Sequence, residues 1–171
     1  MIRAVIWSEG SLTAVPDGEK TIELLRQRHV HSVLIAEFGS AALTAYRSGS
    51  WYVNLFRSRK PGDGSDRRLS NVITFLWKKD DIKRDQMVYV CDDAHGVTVA
   101  KRNNIRAIVV RTGEFSLVRE ELYRPILTPL VARERIVPSA QFVPGLVKRL
   151  NEAEMELEAE IDDWDGGDTA A

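Results

Sequence analysis

The chain has 171 residues, 44% of them hydrophobic and 29% charged, with a formal net charge of −1. That length fits one α/β domain with a sizeable core better than two, and no apolar run approaches the ~20 residues of a membrane-spanning helix. The single cysteine, Cys91, excludes an internal disulfide; with no charged-then-apolar leader at the start, a cytoplasmic location and no membrane partner are expected.

The first apolar run is Ala4 to Trp7, and a helix follows over 18–28, where Ile22 and Leu25 share a face. Further runs cover Ser32 to Phe38 and Tyr52 to Phe56. All are continuous rather than alternating and rich in β-branched residues, as strands buried on both faces are. The polar segment Arg57 to Arg68, with Pro61, Gly62 and Gly64, reads as a loop entering a helix over 66–78, whose Leu69, Val72, Ile73 and Leu76 form one stripe. Strand Met87 to Cys91, helix Ala94 to Asn103 and strand Ala107 to Val110 complete the alternation. Strands alternating with helices predict a parallel sheet covered on both sides. The expected fold class is therefore α/β, a Rossmann-like three-layer arrangement around a mostly parallel sheet of five strands.

Residues 114–161 read as helical and irregular, with one helix around Leu117 to Tyr123. A last helix over 144–161 carries Leu146, Leu150, Ala153, Leu157 and Ile161 on one stripe, expected to pack on the body. Residues 1–161 thus form a single domain, and 162–171 an acidic, disordered tail.

In an open parallel sheet, ligands sit beyond the C-terminal ends of the strands. Ser8-Glu9-Gly10-Ser11-Leu12 follows the first strand, Arg59-Lys60-Pro61 the third, and Asp92-Asp93-Ala94-His95-Gly96-Val97 the fourth. Carboxylates there suit Mg²⁺, which makes Glu9, Asp92 and Asp93 the candidate metal ligands. Lys60, Arg59 and Ser40 are the candidate phosphate or anion contacts. Charged residues at strand ends are also ordinary solvated loop residues. His29, His31 and His95 have no ligand spacing, and Cys91, at the end of an apolar strand, reads as a small buried residue.

From Met1 to about Gly113 the arrangement resembles the haloacid dehalogenase superfamily of hydrolases. Ile2 to Leu12 is similar to its first block, in which an aspartate pair precedes Gly-Thr-Leu. Lys60-Pro61 is similar to its Lys-Pro, and Val88 to Ala100 to its acidic fourth-strand motif with Gly-Val. The resemblance implies a phosphate-transferring fold, a magnesium site at Asp92 and catalytic roles for Glu9 and Lys60 if the protein is active. The departures are specific. Aligning Gly10-Ser11-Leu12 with Gly-Thr-Leu places Trp7 at the nucleophilic aspartate; aligning Trp7 with the preceding aromatic places Ser8 there, with one residue missing. Under either alignment the carboxylate that attacks phosphorus and ligates the metal is gone. The family's hydroxyl after the second strand falls near Ala36 and Glu37, so it too is lost unless Ser40 replaces it.

About 20 residues separate the first two strands and about a dozen the next two, leaving no room for a substantial cap domain. Capless members of the family act on macromolecules or use a partner as a lid, so a protein or nucleic-acid partner is expected. Charge agrees with that. Residues 151–171 hold nine acids and no Lys or Arg, leaving 24 basic and 16 acidic residues in the rest, a formal +8.

The expectation is a catalytically inactive interaction module on this scaffold, with no cofactor or only weakly bound Mg²⁺. A divergent magnesium-dependent phosphatase or phosphotransferase is the alternative. A Toprim-like nucleic-acid enzyme, pairing Glu9 with Asp93, is a second, although Cys91 occupies the place of that site's first paired acid.

Overall fold

A computed structural model describes residues 1–13, 18–37, 52–56, 65–111 and 131–165. In chain order the elements are β1 (Ala4–Ser8), α1 (Glu9–Thr13), α2 (Gly18–Arg26), β2 (His31–Glu37), β3 (Tyr52–Phe56), α3 (Ser65–Asp80), β4 (Met87–Cys91), α4 (Ala94–Arg102), β5 (Arg106–Val110), β6 (Ile136–Val137) and α5 (Val143–Asp165). The expected helix around Leu117 to Tyr123 lies outside the described residues.

The strands form one sheet in the order β3-β2-β1-β4-β5-β6, every neighbouring pair parallel. The five expected strands are present, and the two-residue β6 extends the sheet at one edge. β1 lies inside it, so Ala4, Val5, Ile6 and Trp7 are all fully buried, which accounts for the unbroken apolar run. Val5 and Trp7 point to one face, where Leu34, Val90, Ile22, Leu25 and Leu146 gather. Ala4 and Ile6 point to the other, against Leu69, Val72, Ile73 and Leu76 of α3 and Val97 and Ala100 of α4. Helices therefore cover both faces, α2 and α5 on one and α3 and α4 on the other. The α/β Rossmann-like expectation holds.

Two tight turns return the chain to the sheet. His29 (φ 57°) and Asn104 (φ 53°) adopt left-handed backbone just past α2 and α4. There the amides of Val30 and Ile105 donate to the carbonyls of Leu25 and Ala100 at 3.0 and 3.1 Å, closing the helix ends.

The last helix departs from expectation in two ways. It continues to Asp165, past the expected end at Ile161, and residues 166–171 lie outside the described residues. Its apolar stripe is buried only at its start. Leu146 and Val147 sit in the core and Leu150 packs against it, but Met155, Leu157 and Ile161 are 53%, 61% and 55% exposed. Lengths explain the difference: 23 helical residues span about 34 Å at ~1.5 Å each, whereas a five-residue strand covers about 17 Å at ~3.3 Å each. The helix overhangs the end of the sheet where the strands begin. It is anchored there by the Asn151 side chain, which accepts from the Ile2 amide and donates to its carbonyl, and by Glu154, which pairs with the N-terminal amine and Arg106.

Partial burial pushes the Glu154 carboxyl up, but the hydrogen bonds and charges of the N-terminal amine and Arg106 outweigh it and hold it below the usual carboxylate range. A carboxyl depressed on folding stabilises the native state above its unfolded pKa and loses that contribution as pH falls through its folded value. Acid denaturation of Glu154→Gln should therefore show a shallower loss of stability below about pH 4.5 than the parent, measured as urea midpoints across pH. Equal slopes would show that the cluster is not coupled to folding.

Candidate functional site

The sheet order reverses between β1 and β4: from β1 the chain proceeds to β2 and β3 on one side, then crosses back to β4 and β5 on the other. Such a switch point opens a crevice at the C-terminal ends of its two strands, and those ends carry Ser8 and the segment after Cys91.

Trp7 is one of the two residues that the sequence offers for the nucleophile's place. Its indole is fully buried in the α2/α5 face of the core, paired in register with Leu34 and Val90, so it does not enter the crevice. Its Nε1 is buried with no hydrogen-bond partner among the described residues. Ser8 instead ends the strand, half-buried, and its Oγ donates to Asp92 Oδ1 at 3.4 Å. Of the two residues, Ser8 is therefore the one whose side chain meets Asp92, while Trp7 is packed in the core.

The turn into α1 is bonded around the same serine. The Ser11 amide donates to Ser8 Oγ at 3.4 Å, and Ser11 Oγ donates to the Ser8 carbonyl at 2.8 Å. Gly10 lies directly against the Asp92 carboxylate, where a β-carbon would overlap both carboxylate oxygens. Glycine at this position thus leaves room for the Asp92 carboxylate to lie against α1.

Asp93, the third candidate ligand, is committed locally. It is the N-cap of α4, accepting from the Gly96 amide at 2.5 Å, the role for which aspartate is favoured at helix starts. His95 is exposed in the first turn of α4. Cys91 is buried, its Sγ 3.9 Å from the Ile108 carbonyl. Burial first, then the charges of Asp93 and Asp92, push its thiol far above the usual range, which keeps it protonated and unreactive.

A divalent cation of the magnesium type prefers an octahedron of hard oxygens including one or two carboxylates. Asp92 offers one, packed against Gly10; Ser8 adds a neutral hydroxyl; Asp93 is engaged in capping. Glu9 opens α1 at the same edge, yet among the described residues no three His, Cys, Asp or Glu side chains are grouped to hold a metal. Among the described residues this donor set falls short of the octahedron that such an ion prefers. Ser40, Arg59 and Lys60, the expected anion contacts and catalytic lysine, lie outside the described residues.

The fold has counterparts among solved structures. The chain is similar to D,D-heptose 1,7-bisphosphate phosphatase from B. bronchiseptica, described with magnesium and phosphate, at 18% identity and a TM-score of 0.60, covering 88% of this chain and 99% of that one. It is similar also to the cobalt-bound deoxy-D-mannose-octulosonate 8-phosphate phosphatase from Haemophilus influenzae, at 14% identity and a TM-score of 0.54, covering 86% and 88%. No family model and no curated protein matches the sequence. The fold is that of the haloacid dehalogenase-like phosphatases.

Proposed function

We propose that this chain uses the haloacid dehalogenase-like fold as a catalytically silent scaffold that binds a macromolecule. The observation that carries this reading is the serine hydroxyl of Ser8 facing Asp92 at the end of β1. A hydroxyl there neither supplies the negative charge that a magnesium site needs nor forms an acyl phosphate. Asp92, the carboxylate it faces, is itself held against Gly10. Magnesium accordingly binds weakly or not at all. The short connections between the first three strands and the +8 formal charge of residues 1–150 favour a large, charged partner over a small molecule. No helix of the described residues is long and apolar enough to cross a membrane, which is compatible with a cytoplasmic setting.

The test is turnover of an aryl phosphate with Mg²⁺. The expected rate is indistinguishable from a buffer control, since loss of a nucleophile typically removes several orders of magnitude. Turnover near ~1 per second, abolished in Asp92→Asn, would overturn the proposal and favour the alternative, a divergent magnesium-dependent phosphatase with Glu9 and Lys60 in catalytic roles. The silent-scaffold reading also expects calorimetric titration of Mg²⁺ to give no saturable heat in the low-micromolar range.

A further inference from the structure

Leu146, Leu150, Leu157 and Ile161 fall within about 60° of one another around the axis of α5, at ~100° per residue. They form one stripe, and the body of the protein covers only its first part. Leu146 is in the core and Leu150 packs against it, whereas Leu157 and Ile161 are 61% and 55% exposed. Asn151 and Glu154 tie the helix to Ile2 and Arg106. From Glu154 it runs on to Asp165, a further ~16 Å at ~1.5 Å per residue.

Charge adds to that exposure. Residues 152–165 carry eight acids and no base. Glu152 pairs with Lys148 and Glu154 with Arg106, and Glu156 and Glu158 stand on either flank of the exposed stripe. Like charges four residues apart, as in Glu152 with Glu156 and Glu154 with Glu158, weaken a helix. Acids near a helix C-terminus also oppose its macrodipole, and the last turn of α5 has no base. A short helical segment draws its stability from packing, which the body does not give to Leu157 and Ile161. What would supply it is an apolar ridge narrow enough to follow a single stripe, with cations along both of its edges.

Nucleic acid and anionic lipid carry the wrong sign for this surface, and two copies of α5 side by side would bring their acids together. We infer that the Leu157–Ile161 stripe of α5 docks a cationic amphipathic helix of another protein. The partner's apolar residues lie on Leu157 and Ile161, and its Lys or Arg side chains meet Glu156 and Glu158, as charges flank the seam of a two-helix contact. This surface is at the end of the sheet where the strands begin, opposite the crevice at Ser8, so the inference stands whether or not the crevice is catalytically silent.

Fluorescence anisotropy with two labelled synthetic peptides tests it. Both contain only Leu and Lys, in the same numbers, over about 18 residues or five helical turns. One gathers its Leu residues on a single helical face, and the other spreads them over all faces. The full chain at low salt should bind the amphipathic peptide about tenfold or more tightly than the scrambled one, because buried aliphatic anchors dominate such contacts, and both affinities should fall as salt is raised. Leu157→Gln with Ile161→Gln should abolish the preference and leave the weaker, charge-driven binding. Glu156→Gln with Glu158→Gln should weaken the binding of both peptides. All four side chains are exposed, so circular dichroism should show unchanged folding. Equal binding of the two peptides by the parent would reduce the surface to general charge attraction and overturn the inference. An undiminished preference in the Leu157→Gln, Ile161→Gln variant would place the peptide elsewhere and overturn it as well. So would self-association of the parent, seen by sedimentation and abolished by the same two substitutions, because it would give the stripe to a second copy of the chain.

Discussion

Replacing Ser8 by aspartate should create a dependence of stability on magnesium, against a flat response expected of the parent chain. Ser8 Oγ lies 3.4 Å from Asp92 Oδ1, so a carboxylate on residue 8 would stand within about 4 Å of the one on Asp92. Two unit charges at that distance repel by about 4 kcal/mol at an effective dielectric near 20. Both positions are half-buried, so solvent screening and a shared proton reduce the net cost to about 1–2 kcal/mol. In chelator, Ser8→Asp should therefore melt several degrees below the parent, and the deficit should shrink as pH falls and one carboxyl takes up a proton. With Mg²⁺ the pair becomes a ligand set, and a cation at a hundred times its dissociation constant adds about 2.7 kcal/mol to the folded state. The expected pattern in thermal melts is a rise with Mg²⁺ for Ser8→Asp, a flat response for the parent, and loss of the rise in Ser8→Asp with Asp92→Asn. A parent chain stabilised by Mg²⁺ as strongly as the variant would show that Ser8 and Asp92 already form a metal site.

That comparison turns on a choice the residues alone leave open. Trp7 and Ser8 are adjacent, and a strand sends adjacent side chains to opposite faces, so a one-residue uncertainty in alignment decides which of them enters the crevice. An indole gains far more than a hydroxyl from burial, and Trp7 is packed beneath α2 and α5, whereas Ser8 ends the strand half-buried beside Asp92. The order of strands and helices was legible because each buried strand is an unbroken apolar run and each helix shows its stripe. The exposure of Leu157 and Ile161 was not, because periodicity reports which side of a helix is apolar but not where its supporting sheet ends. The capping role of Asp93 was equally hidden. An aspartate after a strand serves a metal or a helix N-terminus with the same atoms, and only the position of the Gly96 amide distinguishes the two.

Gly96→Ala should be among the most damaging single-methyl changes in the described part of the chain. A β-carbon on Gly96 would lie 2.5 Å from Cys91 Cβ, 3.0 Å from Asp93 Oδ1 and 3.1 Å from Cys91 Sγ. The first of these neighbours cannot yield by a rotamer change, since Cβ moves only with the backbone of β4, which is bonded on both sides to β1 and β5. Relief must come from shifting α4, and that stretches the bond from the Gly96 amide to Asp93, which caps the helix. Overpacking typically costs about 1–3 kcal/mol and loss of a cap about 1 kcal/mol. At about 2–4 °C per kcal/mol for a domain of this size, the melting temperature should fall by roughly 5–15 °C. Two other glycines serve as controls. Gly10→Ala meets the Asp92 carboxylate, the movable end of a side chain, so it should cost less in stability while displacing Asp92 from Ser8. Gly145→Ala meets nothing within 4 Å in the exposed first turn of α5, and replacing glycine by a better helix former there should raise stability by up to about 1 kcal/mol. Melting temperatures in the order Gly145→Ala, parent, Gly10→Ala, Gly96→Ala are expected. A Gly96→Ala protein as stable as the parent would show that β4 and α4 are not in the close contact on which the geometry around Asp92 depends.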